Sequence, residues 1–542
     1  MTVFTIGYAP TVVRAQSLED RVIEYRLDNG MLFLLVPMPN QAPVFSGVVM
    51  VKVGGVDEQI GQTGLAHMFE HMAFKGTPWI GTTDYDSERL LLEQIDSVAI
   101  IYTRLMASIP MDQREVLGAL ERRTLEAVRV DTSGDLDPAS VVNSALAETL
   151  EVAGLRKYPH LDTYIRAKEL SAELAELNEE HREFGIKDEF SQIVMVNGGV
   201  GFNAGTGKDY TIYYESFPAN RLELWMLLES QRFMYPVMRE FYSERDVVIE
   251  ERRMRSDDDP DGKLYENFMA SAMIAHPYAR PIIGWRSDIE QATAQEALEF
   301  RNRYYVPENS VGVLVGNFDV DKAKQLVTQY FGRIPAAVEP VPEIRTVEPP
   351  QAGERRIDVE FDAEPQVMIG FHKPNYPNPE GYAFRVIANI LRDVGNSSRF
   401  YQELVKTGIA SDVWVYEEIP GQRYPNVFLI QASPIAPHTT ADVEREIYRI
   451  LDDLAVNGPT ELELRKAKNQ IQARYVRGLT DMEDLAQSLA HAQLISGNWR
   501  VLVEHTDVIE QVTAEDVRQA AETYFRAKNR TVGTLVRPNG IE

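Results

Sequence analysis

The sequence predicts an α+β chain of two homologous halves, each a mostly antiparallel sheet packed with helices, with a helical insertion in the first half. Three observations lead there. A segment from mid-chain returns near the C-terminus: Ile289-Glu290-Gln291-Ala292-Thr293-Ala294 recurs as Ile509-Glu510-Gln511-Val512-Thr513-Ala514. At the same offset Tyr304-Tyr305 and Asn309 recur as Tyr524-Phe525 and Asn529, and Val311-Gly312 recurs one residue further on as Val532-Gly533. So many matches in nearly one register mark a duplicated unit. Next, β-branched runs are interleaved with amphipathic helical patterns in both halves. Finally, Pro335, Pro340, Pro342, Pro349 and Pro350 read as a linker between them.

The elements follow in order. Residues 1–17 end in Val13-Arg14-Ala15-Gln16-Ser17, the shape of a leader remnant, although no basic stretch precedes it. That favours a periplasmic or otherwise exported location over the cytoplasm. The first domain is expected over 18–338. Residues 22–37 read as two strands about a turn at Asp28-Asn29-Gly30, and 44–53 as a buried strand running into Gly54-Gly55. A helix begins near Gln62-Thr63-Gly64. From about 80 to 187 the patterns become long and helical (87–106, 112–130 and 162–184). This is the insertion, expected as a surface-exposed hairpin or arm with solvated charges. Strands return at 198–204 and 210–214, then helices at 222–234 and 242–255, and a strand at 311–315. The linker is placed at 339–350. The second domain, 351–542, restarts the series at Ile357.

At 542 residues the chain is too long for one ordinary core. Its formal charge of −27 argues against nucleic acid as a partner, because phosphate contacts need clustered Lys and Arg. No run approaches the ~18 apolar residues of a transmembrane helix. There is no cysteine, so disulfides and thiolate metal sites are excluded, and any zinc must be held by His and carboxylate.

Two of the nine histidines stand in Gly64-Leu65-Ala66-His67-Met68-Phe69-Glu70-His71. On a helix His67 and His71 lie one turn apart on one face, with Glu70 beside them. Two imidazoles so placed can grip one metal ion, and the carboxylate can hold its water. H-x-x-E-H is a known zinc-hydrolase signature. The bland reading is two satisfied histidines on a buried helix. A catalytic zinc usually takes a third protein ligand. On the helix over 243–254, positions 244, 247, 248, 251 and 254 share a stripe, and Val247, Val248 and Met254 mark it as the core face. Glu244 and Glu251 are then expected to point inward, where an unpaired carboxylate is costly. Glu251 is the preferred third ligand, Glu244 a partner for a ligand histidine, and Glu250 is solvated. Ion pairing with a buried Arg is the alternative for both inward carboxylates. Aligning Gly64-Leu65-Ala66 with Gly381-Tyr382-Ala383 sets Phe384, Ile387 and Ala388 opposite His67, Glu70 and His71. In that register the fold does not need the metal-type residues.

H-x-x-E-H, the Gly-Gly…Asn-Ala strand at 198–204 and Glu-Arg-Asp-Val-Val-x-Glu-Glu at 244–251 together resemble the pitrilysin, insulysin and mitochondrial processing peptidase family. The resemblance covers nearly the whole chain, His276-Pro277-Tyr278 and Tyr304-Tyr305 included. The insertion is the exception, and it puts Glu251 180 positions after His71, further than in the family. The resemblance implies one Zn2+ per chain on His67, His71 and Glu251, with Glu70 as general base. It also implies an edge strand through Gly201, Phe202, Asn203 and Ala204 that pairs with the backbone of a peptide substrate. The implied activity is that of a zinc metalloendopeptidase on peptides or unfolded segments. A dedicated presequence processing peptidase and a non-catalytic scaffold subunit of the same fold are the alternatives, and a scaffold has no use for all four residues.

One departure stands out. Active members of the family carry an Arg and a Tyr in a related C-terminal half, after a Gly-rich, Ser-Arg turn. Here the turn is Gly395-Asn396-Ser397-Ser398-Arg399, and Val405 and Ser411 stand where that Arg and Tyr are expected. With two homologous halves, the chain resembles the zinc-bearing subunit of a two-chain enzyme. The implied partner is a homologous subunit supplying the Arg–Tyr pair in a heterodimer, a homodimer being less favoured.

Overall fold

The structure is a computed structural model and describes residues 18–131, 160–392 and 395–538. The expected leader remnant at 1–17 lies outside the described residues, as does the middle of the insertion. Among the described residues, eleven strands form two sheets. The first holds β1 (Ile23–Arg26), β2 (Leu32–Pro37), β3 (Val44–Val51), β4 (Val200–Thr206), β5 (Thr211–Pro218) and β6 (Ser310–Gly316), in the order β1-β2-β6-β3-β5-β4. The second holds β7 (Arg355–Glu360), β8 (Gln366–Lys373), β9 (Ala410–Ile419), β10 (Asn426–Pro434) and β11 (Arg530–Val536), in the order β7-β11-β8-β10-β9.

Without β1 the two orders are the same. Each sheet is antiparallel except for one parallel pair, β2 with β6 and β7 with β11. The repeated residues do the same work twice. Asn309 Nδ2 donates to the carbonyls of Lys52 and Tyr304, both at 3.0 Å. Asn529 Nδ2 donates to those of His372 and Tyr524, both at 2.9 Å. Thr293 and Thr513 each close a capping box, with Glu296 and Asp516 as the reciprocal acids. The chain is thus a mixed α/β protein of two related sheet-and-helix units.

Both faces of the first sheet are apolar, since β2, β3 and β6 are almost continuously buried. Such strands need cover on both sides. One face packs on helices of its own half, through residues such as Leu65, Phe69, Met72 and Trp225. The other is covered by the helix Met482–Ser496 from the second half, whose Leu485, Ala486 and Leu489 meet Leu34, Val48 and Val313. The loan is returned. Helix Pro260–Ala272 of the first half lays Leu264 and Phe268 on Met368, Leu429 and Leu535 of the second sheet. The strands of the first sheet run between residues 23 and 316 and those of the second between 355 and 536, while the helices are exchanged.

Where it is described, the insertion consists of helices Tyr85–Ser108, Met111–Asp131 and Leu161–His181. Some of its outer charges pair at the surface, as Arg166 does with Glu169. At its root the expectation of a solvated arm fails. Glu88 there is fully buried and accepts from Arg239 Nε at 2.6 Å and Nη2 at 2.9 Å, with His181 Nε2 2.9 Å away. Arg239 also donates to the carbonyls of Lys75 and Ile80 at 3.0 Å and of Thr77 at 2.8 Å. Those carbonyls lie in the loop after the helix that carries the histidines, and Arg239 lies two residues before the helix that carries Glu244 and Glu251. The insertion therefore buries its anchor between the two helices of interest.

Candidate metal centre

The histidine helix is short, Leu65–Met72. Leu65, Ala66, Met68, Phe69 and Met72 face the core, which turns His67, Glu70 and His71 to the opposite side. Its start is built by two groups. Gly64 takes φ +91°, a conformation open to glycine, while its Cα packs on the backbone of Ile283 and Gly284 with no room for a Cβ. Glu58, buried, accepts from the N–H of Gly64 at 2.9 Å and of Ala66 at 2.8 Å, satisfying helix donors that would otherwise be orphaned.

The second helix, Phe241–Arg252, crosses beside it. Its core stripe is Phe241, Arg245, Val248 and Arg252. This corrects the sequence expectation, because Val247 and Met254 are exposed at 52% and 64%. Two arginines occupy core positions instead. Arg252 is held by Glu266 at 2.9 and 3.0 Å and by the Gly284 carbonyl at 2.7 Å, and Arg245 by Thr103 at 3.1 Å. Glu244 and Glu251 lie on the adjacent stripe and face the histidines. Glu250 is exposed and pairs with Arg253.

His67, His71 and Glu251 bring one ligand atom each to within 4.8 Å of one another. Glu251 Oε2 stands 3.7 Å from His67 Nε2 and 3.6 Å from His71 Nε2. Both gaps are too long for hydrogen bonds. They are close to the ~3.4 Å between neighbouring ligand atoms around a tetrahedral ion bonded at ~2.1 Å. Two imidazoles and one carboxylate are also the donor set zinc accepts. The residues fit a metal.

Their surroundings set their charge states. Burial, helped by His71 and Arg255, pushes His67 down to about 3, so it stays neutral as a ligand must be. Burial works the same way on His71 but is outweighed by Glu244, Glu70 and Glu251, which raise it. His71 Nδ1 lies 2.8 Å from Glu244 Oε1, and Lys75 Nζ lies 2.7 Å from Glu244 Oε2. The His71 bond and Lys75, acting against burial, hold Glu244 down to about 2. His67 Nδ1 is buried with no hydrogen-bond partner among the described residues, so orientation by an outer carboxylate is confined to His71. Glu244→Gln is expected to weaken metal binding by about 10–100-fold, measured by competition with a chromophoric chelator. An unchanged affinity would remove Glu244 from the site.

Glu70 is not among the converging atoms. Burial raises its carboxyl, with partial relief from the Thr206 hydroxyl, which donates to Glu70 Oε2 at 2.6 Å, and from His71. Thr206 ends β4, so the strand next to the cleft also holds the carboxylate. Among the described residues β4 is an edge of its sheet and pairs only with β5, with a bulge between Val200 and Asn203. Gly201, Asn203 and Ala204 lie along that open edge. Phe202 is turned inward against Phe74 and Phe190, with the Arg232 guanidinium stacked on the same cluster. A cleft of about 740 Å³ is lined by Asn203, Ala204, Gly205 and Thr206 of this strand, the metal-type residues and Glu70, while Gly201 and Phe202, expected along the same substrate strand, lie outside its lining. Thr206 and Glu58 gave no sequence signal as site residues.

Comparison with known proteins follows the same lines. Residues 291–471 match the family model described as the Peptidase M16 inactive domain, a stretch that begins after both metal-type helices. An uncharacterized zinc protease of Mycobacterium leprae is 31% identical over 64% of this chain and 77% of its own length. The zinc protease PqqE of Helicobacter pylori is 29% identical over 63% of this chain and 78% of its own. Among solved structures, a protease from Helicobacter pylori aligns with a TM-score of 0.71 at 24% identity, over 95% of this chain and 99% of that one. The periplasmic protease PqqL of Escherichia coli aligns with a TM-score of 0.63 at 14% identity, over 96% of this chain but 48% of that one. No helix among the described residues is long and apolar enough to cross a membrane.

Proposed function

The chain belongs to the M16, or pitrilysin, family of metallopeptidases, and on that premise we propose that it is a zinc-dependent endopeptidase cutting peptides or unfolded segments laid along β4. The observation that carries this reading is the convergence of His67, His71 and Glu251 next to a buried Glu70 and an open sheet edge. Zinc held by these three residues would lower the pKa of its water to about 7 and polarise the scissile carbonyl. The free N–H and C=O groups of β4 would hold the substrate backbone as an added strand, leaving side-chain preference to the cleft. Glu70, with its affinity for protons raised by burial, would take a proton from the attacking water and return it to the leaving amine nitrogen. Thr206 fixes which carboxylate oxygen is free to do so.

Chelation tests the reading. Stripping metal from the purified chain is expected to abolish cleavage of an unstructured fluorogenic peptide, and one equivalent of zinc to restore it. Cleavage by the metal-free chain would refute it. The chain is further read as one subunit of a two-chain enzyme. Val405 packs against the core of the second half and Ser411 is exposed on β9, so neither offers the Arg–Tyr chemistry. A homologous partner carrying that pair should raise kcat/KM, and full activity from the lone chain would sink the idea.

A further inference from the structure

The helix that carries Glu251 does not simply stop. After Arg252 it widens into a π turn, Arg253–Asp257, closed by the Asp258 N–H on the Arg253 carbonyl at 2.8 Å. A turn of this kind re-aims the side chains it carries. Arg255 is swung back over Glu251, its Nη1 2.8 Å from Oε1. The other oxygen, Oε2, is the one near both imidazoles. Arg255 thus sits on the far side of the same carboxylate.

The backbone of this turn is fixed from behind. A Cβ on Gly262 would stand 1.9 Å from the Arg255 carbonyl oxygen, so only glycine lets helix Pro260–Ala272 begin against it. Asp259 caps that helix by accepting from the Gly262 N–H at 2.7 Å. The side chain, by contrast, is 72% exposed and lines the cleft shared by His67, Glu70 and His71. Beyond Glu251 it has no other ion pair or hydrogen bond among the described residues. A guanidinium has five donors, so most of them are unused here. A fixed backbone with an exposed cationic tip, anchored on Glu251 through Nη1 and with donors to spare, is the arrangement expected of a group that can take a ligand.

We propose that Arg255 is a catalytic residue whose guanidinium meets the scissile carbonyl oxygen as negative charge develops there. The proposal rests on the peptidase reading above. When the water oxygen bonds to the carbonyl carbon, the electron pair of the C=O bond moves onto its oxygen. When the C–N bond breaks, that pair returns, and the amine nitrogen takes the proton held by Glu70. Between those events the oxygen is anionic, and a cation brought beside it by the Glu251 anchor stabilises it. The first half of the chain would then supply its own oxyanion contact, whatever a partner adds.

The test uses the zinc-loaded chain. Arg255→Gln is expected to lower kcat about 10²–10³-fold with KM little changed and zinc content intact. It should weaken a phosphinic peptide, a tetrahedral anionic mimic, by a similar factor. Binding of the matching substrate peptide, measured in a Glu70→Gln background, should stay the same. Arg255→Lys should recover part of the loss. Unchanged phosphinic affinity would overturn the proposal, as would equal loss for both ligands, or lost zinc, which would make Arg255 only a holder of Glu251. Phosphinic affinity decides the matter even if the lone chain turns over slowly. A wild-type chain that binds no zinc, or a Glu70→Gln variant that still cleaves, would instead bring down the peptidase reading.

Discussion

Glu70→Gln is expected to keep its zinc and lose cleavage by about 10²–10⁴-fold, the contribution typical of a positioned general base. The two halves of that expectation have separate causes. Metal is retained because the three converging donors are His67, His71 and Glu251, and the substitution touches none of them. Packing is retained because the amide has the carboxylate's shape and can still accept from the Thr206 hydroxyl through its oxygen. Cleavage is lost because an amide takes up no proton at neutral pH. Zinc content and kcat, measured on one preparation, read both outcomes. Loss of zinc would make Glu70 a ligand, and surviving cleavage would leave the water without its assigned base.

The parts of the candidate site that share one helix are the most legible in the sequence. His67, Glu70 and His71 needed only the period of the α-helix to be set on one face. The duplicated fold was legible for a similar reason. Asn309 and Asn529 close the same two backbone bonds in each half, so the residues that recur are those the geometry requires. The inward face of the Glu244–Glu251 helix was found through a stripe that is partly wrong. Val247 and Met254 are exposed, while Arg245 and Arg252 fill core positions. A buried Arg reads as a surface residue until its partners are seen, and Glu266 and Thr103 lie on other elements. The helix exchange was illegible for a different reason. Continuous apolar strands announce two faces to be covered, but not which of several amphipathic helices covers which. Thr206 reaches Glu70 across 136 positions of chain, and no local pattern encodes such a contact.

The other large effect is expected at the base of the insertion, where Glu88→Ala should destabilise the protein by about 3–5 kcal/mol. Removing the carboxylate leaves the Arg239 guanidinium buried with carbonyl partners but no counter-charge. Burial alone would raise Glu88, yet the bonds from His181 and Arg239 hold it down to about 2 from an ordinary 4.5. A folded-state value below the unfolded one means the stabilisation is fully present above about pH 4.5 and is lost as pH falls toward 2. A gap of that size corresponds to about 3 kcal/mol, in line with the mutational expectation. Urea midpoints should therefore differ widely between wild type and Glu88→Ala at pH 7, and the difference should shrink between pH 4.5 and 3. Glu88→Gln, which keeps an acceptor for Arg239, should fall between the two. The same cluster ties the carbonyls after the histidine helix to Arg239, two residues before the glutamate helix, so loosening it should also weaken zinc binding. Unchanged midpoints together with unchanged zinc affinity would mean that the insertion is attached to the site without holding it in shape.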